Sequence, residues 1–288
     1  MRVLITGGTG FIGQALVKAL KSRGDEVLIL SRSPANDPEI VTSLEQIQQP
    51  VDAVVNLAGA GIVDKRWTEE RKQLLRVSRI DTTAKLLQWI GQQTPRPTVL
   101  VSGSAIGYYG SQTSQTLAEE AEPVDGFTHQ LCADWEAEAS KATELGVRVC
   151  LIRTGVVLGV GGALQKMLPP FRLGLGGPIA SGQQWMSWIH LDDEVRAILW
   201  LLDKPTLQGA FNLTAPEPVT NAEFSATLGK VLHRPAFFPL PGFVLKLMLG
   251  EASELLLQGQ RVVPVQLQDS GFEFRYPALP SALKQLLT

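Results

Sequence analysis

Cysteine is nearly missing: the 288 residues hold only Cys132 and Cys150. Two thiols cannot build a disulfide framework, and these two lack the paired spacing of a zinc site, so no metal centre is expected. An excess of charge of one sign is missing too, since 26 Lys and Arg stand interspersed with 28 Asp and Glu for a formal balance of -2. Without a basic run, neither nucleic acid nor a membrane is an expected partner. Long apolar runs are also absent. The N-terminus passes from one cation through Val3-Leu4-Ile5 into glycine, too short a stretch for a secretory signal. Lys246 interrupts the most apolar late segment, 242–250, which is far shorter than a membrane span. A reducing cytoplasm is the expected location.

What is present is alternation. Short apolar runs at 2–5, 26–30, 53–56, 98–102 and 148–152 are separated by segments with apolar residues at three-and-four spacing, 11–23, 68–91 and 129–144. This pattern predicts an α/β fold with a Rossmann-type doubly wound parallel sheet. Runs without polar alternation, such as Val54-Val55-Asn56-Leu57, suit strands covered on both faces. After Arg153 the chain turns rich in glycine and proline, with Gly161-Gly162, Pro169-Pro170 and Gly176-Gly177-Pro178, and is expected to be loop-rich. Helix is expected again over 191–202, a short strand over 211–213, and a helix over 221–232 capped by Thr220 or Asn221. The expected division is a dinucleotide-binding domain of 1–157 plus about 189–213, with about 158–188 plus 214–288 forming a smaller, mixed substrate-side lobe.

Gly7, Gly10 and Gly13 follow the first strand and open a helix. Gly7 permits a tight turn, Gly10 lets the backbone approach a pyrophosphate, Gly13 lets the helix pack close, and the free N–H groups of the first helical turn receive the anion. Nineteen residues beyond Gly13, where an NAD-binding chain usually carries an acid, stands Arg32. Its guanidinium suits the 2'-phosphate of NADP(H); the plainer reading is a solvated charge after a strand. Ala58-Gly59 after the third strand lets backbone touch the dinucleotide, or merely makes a turn. Arg79 is either a second cation for the phosphates or a helix-surface charge paired to an acid.

Together these residues resemble the extended short-chain dehydrogenase/reductases, and most of all their atypical "epimerase family protein" branch. The marks of that branch are 6–13, Asn56-Leu57-Ala58-Gly59, 153–159, the proline–glycine block 168–178 and Trp188-Ile189-His190-Leu191-Asp192-Asp193, while 234–286 resembles a family domain without an assigned role. The resemblance implies NADP(H) held by the loop carrying Gly7, Thr9, Gly10, Phe11, Ile12 and Gly13, by Ser31 and Arg32, by Leu57, Ala58 and Gly59, by Arg79, and by the strand end at Val156.

The resemblance also implies a catalytic Ser, Tyr and Lys, the Lys four residues after the Tyr. Ser104 stands at the serine's place, but the stretch 127–136 contains neither Tyr nor Lys. Thr128 is too weak an acid to replace the tyrosine, and Cys132 cannot supply the lysine's charge. His129 and Tyr109 are the remaining proton-carrier candidates, His129 because imidazole exchanges protons near neutrality. The plainer readings are capping or surface for His129 and packing for Tyr108 and Tyr109. Trp185 and Trp188 are expected in the core rather than on a ligand, and His190 is expected to brace the two lobes. Two functions follow: an NADP-dependent oxidoreductase or epimerase acting on a small polar molecule, with Ser104 orienting the reacting group, or an NADPH-binding sensor or regulator that has lost turnover. A nucleotide sugar would want second-lobe cations, and 160–186 offers only Lys166 and Arg172.

Overall fold

The computed structural model describes residues 1–34, 36–112 and 115–288. Seven strands form one parallel sheet: β1 (Arg2–Thr6), β2 (Glu26–Leu30), β3 (Ile40–Val41), β4 (Ala53–Asn56), β5 (Val99–Ala105), β6 (Arg148–Thr154) and β7 (Gly209–Leu213). Their spatial order is β7-β6-β5-β4-β1-β2-β3, so the winding reverses beside β1, the place where open α/β sheets bind ligands. Alternate residues of each strand serve opposite faces. Val3 and Ile5 join Leu16 and Leu20 of α1 (Phe11–Arg23) and Val195 and Ile198 of α6 (Leu191–Asp203). Leu4, Val54 and Leu100 face the other way, onto Leu86 and Ile90 of α3 (Ile80–Gln92) and Ala139 of α4 (Phe127–Ser140).

The expected single helix over 68–91 is two, α2 (Glu69–Val77) and α3. The Ser78 hydroxyl donates to the Leu75 carbonyl and accepts from the Ala60 N–H, which replaces ladder bonds at the junction and turns the chain. The stretch after Arg153 is also more regular than expected. Val156–Gly159 is a strand paired in parallel with Trp188–His190, and α5 (Gly162–Arg172) follows it, retaining Pro169 and Pro170. A third core joins Leu164, Leu168 and Phe171 of α5 to Phe224 and Leu228 of α7 (Asn221–Val231) and Leu283 of the C-terminal helix. Between α7 and that C-terminal helix lies the short α8 (Gly242–Leu249). Among the described residues no helix is long and apolar enough to cross a membrane.

Candidate functional site

The glycine loop sits at the carboxyl end of β1, beside the reversal of strand order. Gly7 has φ +72°, and a Cβ there would stand 2.6 Å from the Leu57 carbonyl oxygen. Gly13 is held equally tightly, because its Cβ would come within 2.2 Å of the Gly7 carbonyl oxygen. Gly10 differs: only that same oxygen lies near its Cβ position, at 3.2 Å, and the remaining space is open. Gly10 caps α1 with no side-chain hydrogen bond, so the first-turn N–H groups of Phe11 and its neighbours are left for an anion. Thr9 and Gly10 are exposed, Ile12 is half-buried, and the Phe11 ring packs under the turn containing Gly159, Gly161 and Gly162. That contact joins the loop to the start of α5.

Behind the loop a buried polar chain fixes the strand ends. Thr6 donates to Asn56 Oδ1 (2.6 Å) and accepts from the Ala58 N–H, while Asn56 Nδ2 and Trp135 Nε1 both donate to the Thr83 hydroxyl. Thr83 in turn donates to the Arg79 carbonyl. Every donor in this chain has an acceptor, so the backbone at Leu57, Ala58 and Gly59 is held in place. Arg79 sits at the α2–α3 break with its guanidinium against Gly59, bonded to the carbonyls of Ala60 and Leu75 and stacked 5.3 Å from the Trp135 ring. Burial lowers its pKa. Arg32 is exposed just past β2 and Ser31 is half-buried beside it. The Val156 N–H is taken by the Ser187 carbonyl.

Ser104 lies next to the end of β5 and its hydroxyl donates to Glu136 Oε1 at 2.6 Å. Arg153, from β6, clamps the same carboxylate with Nε and Nη2, both at 2.9 Å. Both partners of this ion pair are buried. A serine has one proton, and this one is committed to a carboxylate in a charge-assisted bond, so toward the cleft Ser104 offers lone pairs and accepts. It therefore suits a hydroxyl rather than a carbonyl. His129 Nδ1 lies 2.6 Å from the Tyr108 carbonyl. A carbonyl only accepts, so Nδ1 carries hydrogen and Nε2 is the ring atom left to exchange a proton. Tyr108 packs edge-on against His129 and lies under the Arg153 guanidinium at 3.4 Å.

Tyr109 is not presented to the cleft. It is 0% exposed, its hydroxyl donates to Asn212 and accepts from Arg153, and burial pushes its pKa up to about 12. Burial likewise pushes the Cys132 thiol up to about 12, so it supplies no charge where the resemblance places a lysine. Trp188 is fully buried, donating to the Glu217 carbonyl, and Trp185 stacks under Arg261. His190 caps α6 and meets Gln285 of the C-terminal helix. Glu136 and Arg153 were not among the expected site residues. Their signal was one charge in each of two otherwise apolar settings, Trp135-Glu136 on the helix face carrying Cys132 and Arg153 after the run 149–152.

A family model described as the NAD dependent epimerase/dehydratase family matches residues 3–213, and a domain of unknown function matches 240–286. The chain is 43% identical to the epimerase family protein SDR39U1 homolog, chloroplastic, of Arabidopsis thaliana, covering 100% of this chain and 87% of that one. The crystal structure of human epimerase family protein SDR39U1 with NADPH superposes with a TM-score of 0.93 at 38% identity, over 99% of both chains. UDP-N-acetylglucosamine 4-epimerase from Bacillus cereus shares the fold, with a TM-score of 0.80 at 20% identity over 99% of this chain and 98% of that one.

Proposed function

From the chain's place in the NAD dependent epimerase/dehydratase family, to which it belongs, we propose that it binds NADPH and acts as an oxidoreductase or epimerase on a small polar molecule. The observation that carries the cofactor reading is the glycine loop. Two of its glycines are required by the fold, whereas the space beside Gly10 is open and faces an uncapped helix N-terminus. The exposed Arg32 suits the 2'-phosphate, and the human relative crystallised with NADPH supports the same choice. When bound, the nicotinamide supplies or accepts a hydride.

The chain's own groups would then handle the proton and the orientation. Ser104, held by the Glu136–Arg153 pair, accepts a hydrogen bond from a substrate hydroxyl adjacent to the reacting one and so orients the substrate. His129 Nε2 takes or returns the proton while Nδ1 stays bonded to the Tyr108 carbonyl. A second reading, an NADPH sensor without turnover, is favoured by one observation, the uncharged, buried Cys132 at the lysine's place.

Oxidation of NADPH in the presence of small carbonyl compounds, together with chromatographic detection of epimer formed from sugar nucleotides in the presence of NADP, separates the two readings. Turnover that falls by about 100-fold or more in His129→Gln, with a smaller loss in Ser104→Ala, is the result expected of the enzyme. Turnover that survives in His129→Gln removes the histidine from the mechanism. NADPH binding without turnover on any of these substrates selects the sensor.

A further inference from the structure

The molecule carries an unusually apolar face whose side chains take no part in the polar network of the site. Leu173, Leu175, Phe237, Phe243, Leu247 and Met248 are each at least 60% exposed. They come from two distant segments that the fold brings together. The Phe238 N–H bonds the Gly176 carbonyl, the Leu240 N–H bonds the Pro178 carbonyl, and the Ala180 N–H bonds the Leu240 carbonyl. Pro235 packs against Gly174, and Gly242 packs against Ala180, so α8 continues the same surface. On α8 only Leu245 is buried, and Phe243 and Leu247, four residues apart, project together on another side of the helix. Soluble chains rarely leave so many large apolar side chains in one patch uncovered.

Within the two segments that form the face, the charges of Asp, Glu, Lys and Arg have one sign. No Asp or Glu occurs between Glu144 and Asp192, nor between Glu223 and Glu251. The two acids that bound the second interval are engaged elsewhere: Glu223 closes the capping box with Thr220, and Glu251 pairs with Lys72. Arg172, Arg234 and Lys246 are exposed, each within three residues of the apolar side chains. Along the chain these cations are scattered and form no basic run. They become a rim only when the two segments pair. An apolar centre flanked by these cations is complementary to a layer that is apolar inside and anionic at its surface.

We propose that this face docks on an anionic lipid bilayer, with Phe243 and Leu247 entering the headgroup–acyl boundary and Arg172, Arg234 and Lys246 meeting the lipid phosphates. The insertion is shallow, because an eight-residue helix is about 12 Å long and lies along the surface. The proposal uses none of the residues assigned to the cofactor.

Co-sedimentation of the full chain with vesicles tests it, using phosphatidylcholine alone and phosphatidylcholine mixed with phosphatidylglycerol. The expected result is pelleting with the mixed vesicles, reversed by raised salt. Lys246→Glu should weaken it by about five-fold or more, and Phe243→Asp combined with Leu247→Asp by more than about ten-fold. Thermal unfolding with and without NADPH, run on each variant, confirms that the fold and cofactor site are intact. Equal affinity for both vesicle types, no pelleting with either, or pelleting unchanged in the double variant overturns the proposal. So does sedimentation showing a wild-type dimer that the double variant dissociates while neither protein binds vesicles, which makes the face a contact between copies.

Discussion

Gly10 and Gly13 lie three residues apart and answer to different constraints. A Cβ at Gly13 collides with the backbone of Gly7, so that glycine serves packing, while a Cβ at Gly10 meets only the Gly7 carbonyl oxygen, at 3.2 Å, with open space beyond it, and φ is -80°, which any residue adopts. Gly10→Val should therefore leave the circular dichroism spectrum and thermal midpoint nearly unchanged and abolish NADPH binding by calorimetry. Unchanged affinity would reduce the loop to a turn. The glycine spacing was legible in the sequence because each glycine stands where backbone geometry demands it. The separation of roles was not, because it depends on where the Leu57 and Gly7 carbonyls point. Glu194 was not legible either. It lies in the first turn of α6, wholly buried, with Thr154 donating to Oε1, no partner at Oε2 among the described residues, and burial pushing its pKa up to about 8. Between the ordinary carboxylate range and about pH 8 the unfolded chain releases a proton that the folded chain retains, so stability falls as pH rises through that window and levels off above it. Glu194→Gln keeps an acceptor for Thr154 and does not titrate. Its thermal midpoint should gain on the wild type between about pH 5 and about pH 9. Parallel curves for the two proteins would show that the carboxyl ionises normally.

At the scale of elements, the helices of the sheet were legible where periodicity and caps agree. α1 begins and ends as expected, with Gly24 in the left-handed conformation after Lys21 and Arg23, and α7 starts at a Thr220–Glu223 capping box. α5 was hidden. Leu164, Leu168 and Phe171 recur at helical spacing, but Gly161-Gly162 before them and Pro169-Pro170 among them read as breakers, and only packing against α7 and the C-terminal helix holds the segment helical. The break between α2 and α3 was hidden for the opposite reason. Its apolar periodicity runs on, and the cause is a serine hydroxyl bonded across to Ala60. Most of the candidate site likewise arises between elements. Ser104 on β5, Glu136 on α4 and Arg153 on β6 meet only after the strands are in register, where Ser104 stands opposite Arg153. Removing one member strands the other charge. Arg153→Met should cost about 3 to 5 kcal/mol of stability by urea unfolding, with a substantial part restored by adding Glu136→Gln. Strictly additive losses would mean that the pair is not an energetic unit.

For the molecule as a whole, the parallel sheet sets the glycine loop, the ends of β4 and β5, and the exposed Arg32 around one crevice at the reversal of strand order. The α/β class and the cofactor crevice could be read from alternation and glycine placement because both are dictated locally. The apolar face with its cationic rim could not, since it exists only where 174–180 pairs with 235–240. The account rests most on the claim that this crevice takes NADPH in preference to NADH through Arg32. Paired titrations of both nucleotides, by calorimetry, into the wild type and Arg32→Ala test it most directly. The account predicts tighter binding of NADPH to the wild type and a loss of about ten-fold or more of that preference in the variant, as expected for a charge-assisted phosphate contact worth about 1.5 to 3 kcal/mol. Equal affinities in the wild type, or a preference that persists undiminished in Arg32→Ala, would contradict it.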